Sequence, residues 1–203
     1  SMKRKKLRIE IFADIICPWC YIGKKRLEKA LQDRPEIEVE LTWRGFLLNP
    51  SIPQSGIDRK QYLLSKFGHA ASSVYSRIEQ AGKQTGINFN FDAIKRTPDS
   101  RSIHELIIAT DFNGYQLSEL FYKAYFIDGK DISDKNIQND ILTGFDNKLH
   151  PTQEKIMDAK ETLKSDLIEA KEIGIDGVPF FIFNSQLSLA GAHPEHILLT
   201  TID

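Results

Sequence analysis

Only two cysteines occur among the 203 residues, and they form one motif, Cys17-Pro18-Trp19-Cys20. That spacing limits what the pair can be. A disulfide between them closes a very small loop and removes little entropy from the unfolded chain, so it is a poor staple. A tetrahedral structural zinc site needs four ligands, and no second cysteine pair exists to complete one. His193 and His196, three residues apart near the end of the chain, are the nearest substitutes, and their spacing suits a surface pair better. No metal is expected. Two inert core thiols are the other alternative, and redox chemistry explains the spacing best.

The flanking pattern adds geometry. Residues 7–13 alternate, with Leu7, Ile9 and Ile11 on one side and Arg8 and Glu10 on the other, which predicts a strand. Ile22, Leu27, Ala30 and Leu31 then follow at helical spacing, and Arg34-Pro35 ends the pattern. Pro18 suits the first turn, where a missing N–H costs nothing. A strand-to-helix junction puts the first sulfur at the end where free N–H groups and the helix dipole favour a thiolate. Cys17 is therefore assigned as the nucleophile, and Cys20, one turn later, as the resolving thiol. Asp14, three residues before Cys17, is a candidate proton acceptor for Cys20 or simply a polar strand end.

A second strand is expected over residues 37–43, where Ile37, Val39, Leu41 and Trp43 oppose Glu38, Glu40 and Thr42. Residues 47–56, with Pro50, Pro53 and Gly56, read as a connector. The period then changes to that of helices through residues 59–144, with stripes expected to end at Gly82, Gly114, Gly129 and Gly144. Thr152 is placed to cap a helix that stops at Gly174, with Ile156, Ala159, Leu163, Leu167 and Ala170 inward. Pro179 leads a compact apolar strand, Asn184-Ser185 turns the chain into a return strand, and Pro194 opens a closing helix. The order is β-α-β, a helical stretch, then α-β-β-α. With the helical stretch removed this is an α/β, thioredoxin-like order: a mixed central sheet flanked by helices. The expected division is a discontinuous thioredoxin-like domain, residues 1–52 and 151–203, with an all-helical insertion, residues 53–150. In such an arrangement Val178-Pro179 would lie beside the cysteines, and an X-Pro bond there is a candidate for the cis form.

Charge excludes some classes. Lysine and arginine total 27 against 28 acidic residues, a net −1, so nothing favours nucleic acid or an anionic membrane. The run Lys3-Arg4-Lys5-Lys6 reads as a solvated basic tail. No stretch approaches the ~20 apolar residues of a membrane span, and Arg8, Glu10 and Asp14 interrupt what a signal peptide would need as an apolar core. A cytoplasmic protein is expected.

Several segments carry a resemblance: residues 14–23 (DIICPWCYIG), 44–50 (RGFLLNP), 129–134 (GKDISD), 174–183 (GIDGVPFFIF) and Gly191-Ala192-His193-Pro194. Together they resemble the DsbA-like thioredoxin superfamily, and within it the FrnE-like dithiol–disulfide isomerases. The resemblance implies a helical insertion roofing the active site and disulfide exchange without an organic cofactor, with glutathione as a conceivable co-substrate. It implies a thiol- or disulfide-containing protein or small molecule as partner, and a monomer or homodimer. Pro18, Trp19, Asp14, Val178 and Pro179 become supporting residues. The family's Asn-(Thr/Ser)…Ala-His stretch reads Asp99-Ser100…Ile103-His104 here, a partial match that makes Ser100 and His104, with Tyr21, candidates to face substrate. Kappa-class glutathione transferases and 2-hydroxychromene-2-carboxylate isomerases are similar in the same regions but generally place Ser where Cys17 stands. A non-catalytic, chaperone-like module is the other alternative.

Overall fold

Alternation over the first apolar segment builds the central strand. The computed structural model describes residues 4–203, without the side chain of Asn147. Strand β1, Lys6–Ala13, pairs in parallel with β2, Glu38–Gly45, and antiparallel with β5, Phe180–Phe183, which pairs antiparallel with β6, Leu187–Ala190. The sheet order is β2-β1-β5-β6. Ile9 sits between Leu41 and Phe183, and Ile11 between Trp43 and Phe181. β1 thus has a strand on each side, which makes it the fixed reference for whatever follows its end. Asn184 and Ser185 turn β5 into β6 with positive φ of 50° and 57°, the backbone a tight hairpin demands.

Helix α1, Pro18–Gln32, leaves β1 after four residues. Between β2 and β5 come α2 (Arg59–Phe67), α3 (Ala71–Gln84), α4 (Arg101–Ala109), α5 (Gly114–Phe126), α6 (Lys135–Asp146) and α7 (Gln153–Ile173), and α8 (Glu195–Ile202) closes the chain. Two strands, β3 (Ile57–Asp58) and β4 (Arg96–Thr97), pair antiparallel within the stretch expected to be purely helical. At two residues each they are too short to show a period. Gly82 and Gly144 lie inside α3 and α6 instead of ending them. One glycine costs a helix about 1 kcal/mol, and burial of Ile78 and Leu142 on the same helices offsets it. Thr152 caps α7 through the Lys155 N–H at 3.2 Å. Gly174 ends it in the left-handed region (φ 87°), which glycine adopts without a Cβ clash. Pro194 is the residue just outside α8 and not its first. No helix among the described residues is long and apolar enough to cross a membrane. Of the basic run, Lys3 lies with Ser1 and Met2 outside the described residues. Arg4 donates to the carbonyls of Pro35 and Glu36, Lys5 to that of Ile202, and Lys6 begins β1, so these three are more than a solvated tail.

Two polar clamps hold helices to this frame. Arg44 on β2 bonds Glu10, Asp166 at 2.7 Å and Glu169, while Asp166 also accepts the Gly45 N–H at 3.0 Å, which ties α7 to the sheet. Asp166 is a buried charge in a helix whose inward face was expected to be wholly apolar. The second clamp joins α1 to α5. Tyr21 donates to Glu119 at 2.7 Å, Lys24 and Lys25 bond the same carboxylate, and the Tyr21 ring stacks on Tyr122 at 4.8 Å.

Burial alone would raise the Glu119 carboxyl, but Lys24, Lys25 and the Tyr21 hydroxyl together hold it below the ordinary glutamate range. A depressed acid contributes stability above its unfolded value and loses it as pH falls through the folded one. Glu119→Gln is expected to cost about 1 kcal/mol at pH 7, the low end for partly exposed charged hydrogen bonds. The difference from wild type should shrink below about pH 4, as measured by urea unfolding between pH 3 and 7. A second position tests the seat of α1 against the entry to β5. A Cβ at Gly23 would meet Pro179 Cγ at 2.8 Å, so Gly23→Ala should destabilise by about 1–3 kcal/mol through overpacking, read in the same melts.

Candidate active site

Both cysteines are placed by the start of α1. Cys17 is the N-cap residue, in an extended conformation (φ −96°, ψ 110°), and Pro18 opens the helix proper. A tight turn leads in: the Cys17 N–H donates to the Asp14 carbonyl at 3.1 Å, and the Cys20 N–H to the Cys17 carbonyl at 3.1 Å. Cys17 therefore occupies the end of a helix where unpaired N–H groups favour negative charge. Cys20 sits within the first turn with its own N–H already used. Both are free thiols, 4% and 2% exposed. Burial pushes the Cys20 thiol well above its ordinary value and the adjacent Cys17 sulfur adds to the rise; a hydrogen bond from the Asp14 backbone opposes it, and the Asp14 charge adds the smallest upward push.

The Val178–Pro179 peptide is cis. The Val178 carbonyl lies 3.7 Å from Cys17 Sγ, a thiol-to-carbonyl contact, and Pro179 packs on α1 at Gly23. Trp19 is half-buried at the edge of the pair.

Behind the sulfurs lies a polar chain sealed from solvent. Asp14 and His104 are fully buried. Leu48 donates its N–H to one Asp14 oxygen at 2.8 Å, and His104 Nε2 lies 3.1 Å from the other and 3.0 Å from the Phe46 carbonyl. On the far side of the ring, Trp43 Nε1–H donates to His104 Nδ1 at 3.1 Å. Both oxygens of Asp14 face donors, the arrangement that suits a carboxylate. The segment 44–50 matters here for its backbone: Phe46 supplies an acceptor and Leu48 a donor.

The candidates for a substrate-facing role are placed differently from expectation. Ser100, His104 and Tyr21 are all buried, and the polar groups of His104 and Tyr21 are committed to internal partners. A helical stripe cannot say which side of α4 meets the sheet, and His104 is on that side. Two residues not singled out in the sequence interact with the site, Tyr122 by contact and Lys66 through its charge alone. Tyr122 on α5 is fully buried, its hydroxyl 3.5 Å from the Asp14 carbonyl, and burial and then the thiol sulfurs hold its phenol well above the usual range. Lys66 on α2 donates to the Tyr62 hydroxyl at 3.2 Å; burial lowers its ammonium, against the pull of Cys17, Asp14 and Cys20. Neither carries a local signal, because both lie on helices distant in sequence from the cysteines. Among the described residues no group of three or more His, Cys, Asp or Glu side chains could hold a metal ion.

This geometry has relatives. The uncharacterized protein YwbO of Bacillus subtilis is 25% identical over 138 residues, 64% of this chain, and the match spans only 62% of that protein's length. A probable DsbA oxidoreductase of Streptomyces coelicolor superposes with a TM-score of 0.80 at 24% identity, covering 97% of this chain and 88% of that one. The cytosolic disulfide reductase DsbM of Pseudomonas aeruginosa, solved with GSH, superposes at 0.64 and 16% identity over 96% and 98%. At these identities the two structures show the shared fold. The sequence profile of the DSBA-like thioredoxin domain matches residues 8–203, and the chain belongs to that family.

Proposed function

We propose that this protein is a thiol–disulfide oxidoreductase of the FrnE-like kind, working through Cys17 and Cys20. The observation that carries the reading is the placement of the pair, with Cys17 at a helix N-cap and its sulfur 3.7 Å from the Val178 carbonyl. The Cys17 thiolate attacks one sulfur of a substrate disulfide, and the other leaves as a thiolate. Cys20 then loses its proton and attacks Cys17 Sγ, which releases the second substrate thiol. Two electrons pass from the dithiol to the substrate, and run in reverse the same steps oxidise a substrate dithiol. Asp14 is the proposed acceptor for the Cys20 proton, being the buried carboxylate whose charge that thiol feels. An extended substrate would lie against the backbone at Val178, with Trp19 at its edge.

The domain of residues 1–52 and 151–203 supplies the cysteines, and the insertion of residues 53–150 supplies the roof with Tyr122 and Lys66. Glutathione is the proposed thiol co-substrate and the cytoplasm the proposed compartment. Both are supported by the likeness to a cytosolic disulfide reductase solved with GSH.

Cys17→Ser should abolish disulfide reduction, whereas Cys20→Ser should still attack and accumulate a mixed disulfide with substrate, visible as a covalent adduct by mass spectrometry. An active Cys17→Ser variant would overturn the assignment. Equilibration with glutathione or dithiothreitol buffers should interconvert the dithiol and a Cys17–Cys20 disulfide. A potential near about −270 mV marks a reductase and one near about −120 to −180 mV a donor or isomerase. A pair that forms no disulfide at any poise rejects the redox reading.

A further inference from the structure

The proposed chemistry leaves Trp43 unused, yet its one polar atom is spent on the chain behind the cysteines. We propose that Trp43 is a positioning residue: its indole N–H occupies Nδ1 of His104, fixes the imidazole in the Nε2–H form, and so preserves the charge of Asp14 behind Cys20. The inference rests on the roles given above to the two cysteines and adds a residue that touches neither sulfur.

The argument is one of donors and acceptors. An indole N–H donates and has no lone pair to offer. Its bond to Nδ1 at 3.1 Å leaves no room for a proton on that nitrogen. The ring's single N–H is therefore on Nε2, shared between Asp14 and the Phe46 carbonyl. The two acceptors at Nε2 call for a proton there, and what the indole adds, as a donor that cannot titrate, is to keep a second proton off Nδ1. Without the indole, Nδ1 could take a proton from water. Water is close, since Trp43 lines a cleft of ≈ 530 Å³ together with Arg44, Ile107 and Asp166, while His104 is not among its walls. An imidazolium formed there would face Asp14 and offset the negative charge that Cys20 feels.

Other charged groups surround His104 and Asp14, and Trp43 is a partner of none of them. Asp166 on α7 acts on the ring by its charge, but its oxygens are held by Arg44 and the Gly45 N–H. Glu105 on α4 shares an electrostatic interaction with the ring, and Lys66 on α2 one with Asp14. Cys17 and Cys20 on α1 and the Tyr122 hydroxyl on α5 complete the surroundings of Asp14. Replacement of Trp43 by Phe keeps an aromatic ring against Tyr122, whose centroid is 6.1 Å away, and removes the donor.

The test uses a Cys17→Ser background, in which only Cys20 is present to react, and follows its alkylation by iodoacetamide from pH 5 to 8. Trp43→Phe should raise the rate roughly tenfold near pH 5.5, the equivalent of one unit in the thiol's proton affinity, and the ratio to the parent should fall to about one by pH 8, where histidine is neutral. In a His104→Gln background the same change should have no pH-dependent effect. A ratio that is the same at every pH is what loosened packing alone would give, and it overturns the proposal. So does a pH-dependent ratio that survives in His104→Gln. If Trp43→Phe fails to fold, nitrogen-15 spectra of the wild-type protein decide: a coupling across the hydrogen bond from the Trp43 indole N–H to an unprotonated His104 Nδ1 that persists down to pH 5 supports the proposal, and a proton on Nδ1 within that range rejects it. None of these readouts needs turnover, so failure of disulfide exchange in the wild type would reject the functional reading without deciding this one.

Discussion

A carboxylate with no access to water needs protein donors for its oxygens, and Asp14 is where that need organises the active site. Burying an unpaired charge would cost several kcal/mol. The fold supplies two donors, the Leu48 N–H and His104 Nε2–H, from segments far apart in sequence. Meeting that demand fixes the loop after β2 and the orientation of α4, which in turn bring Trp43 and the roof into register. The same residue's carbonyl accepts the Cys17 N–H, so the residue that requires these partners also sets the turn into α1. Site and fold are coupled through one side chain and its own backbone.

How the roof stays in place follows from where charge is spent. The α1–α5 clamp brings two lysines and a tyrosine onto one carboxylate, and the Arg44 clamp brings three carboxylates onto one guanidinium. Each joins a sheet-packed element to a helix that arrives from elsewhere in the chain. Between them α5 is buried on most of its faces, so its tyrosines act as core. The aromatic stack Tyr21–Tyr122–Phe126 ties the first helical turn beyond the cysteines to that core. Small shifts of α5 would therefore reach the sulfurs through rigid contacts.

What the sequence shows and what it conceals divide along the range of the interaction. The strand-to-helix junction at Cys17, the cap at Thr152, the stop at Gly174 and the hairpin at Asn184-Ser185 are local, and propensity and spacing reveal them. The pairing of Cys17 with the Val178 carbonyl spans 161 positions and is legible only because both motifs resemble known partners. His104 shows the limit. Its residue type and family position drew attention to it, but its bonding to Asp14 and Trp43 depends on which face of α4 meets the sheet. Trp43 reads as core by its alternation in β2, and so it is; its N–H has a direction that no one-dimensional pattern carries. Asp166, Tyr122 and Lys66 lie on helices whose periods predict burial or exposure and say nothing of partners. The strand pair β3–β4 is missed for a simpler reason: two residues cannot display alternation.

The two cysteines differ by one helical turn, and the backbone makes them unequal before any side chain acts. Cys17 precedes the helix, at the positive end of its dipole. Cys20 lies inside the first turn, its N–H bonded to the Cys17 carbonyl, with the buried Asp14 charge behind it. Burial first, then the neighbouring sulfur, hold the proton on Cys20, against a hydrogen bond from the Asp14 backbone and with a small addition from the Asp14 charge. Under the proposed chemistry, a proton held on Cys20 suits it to the resolving role and Cys17 to the attacking one. The start of α1 is set by the turn from Asp14 to Cys17, which leaves β1 where that strand is paired in parallel with β2.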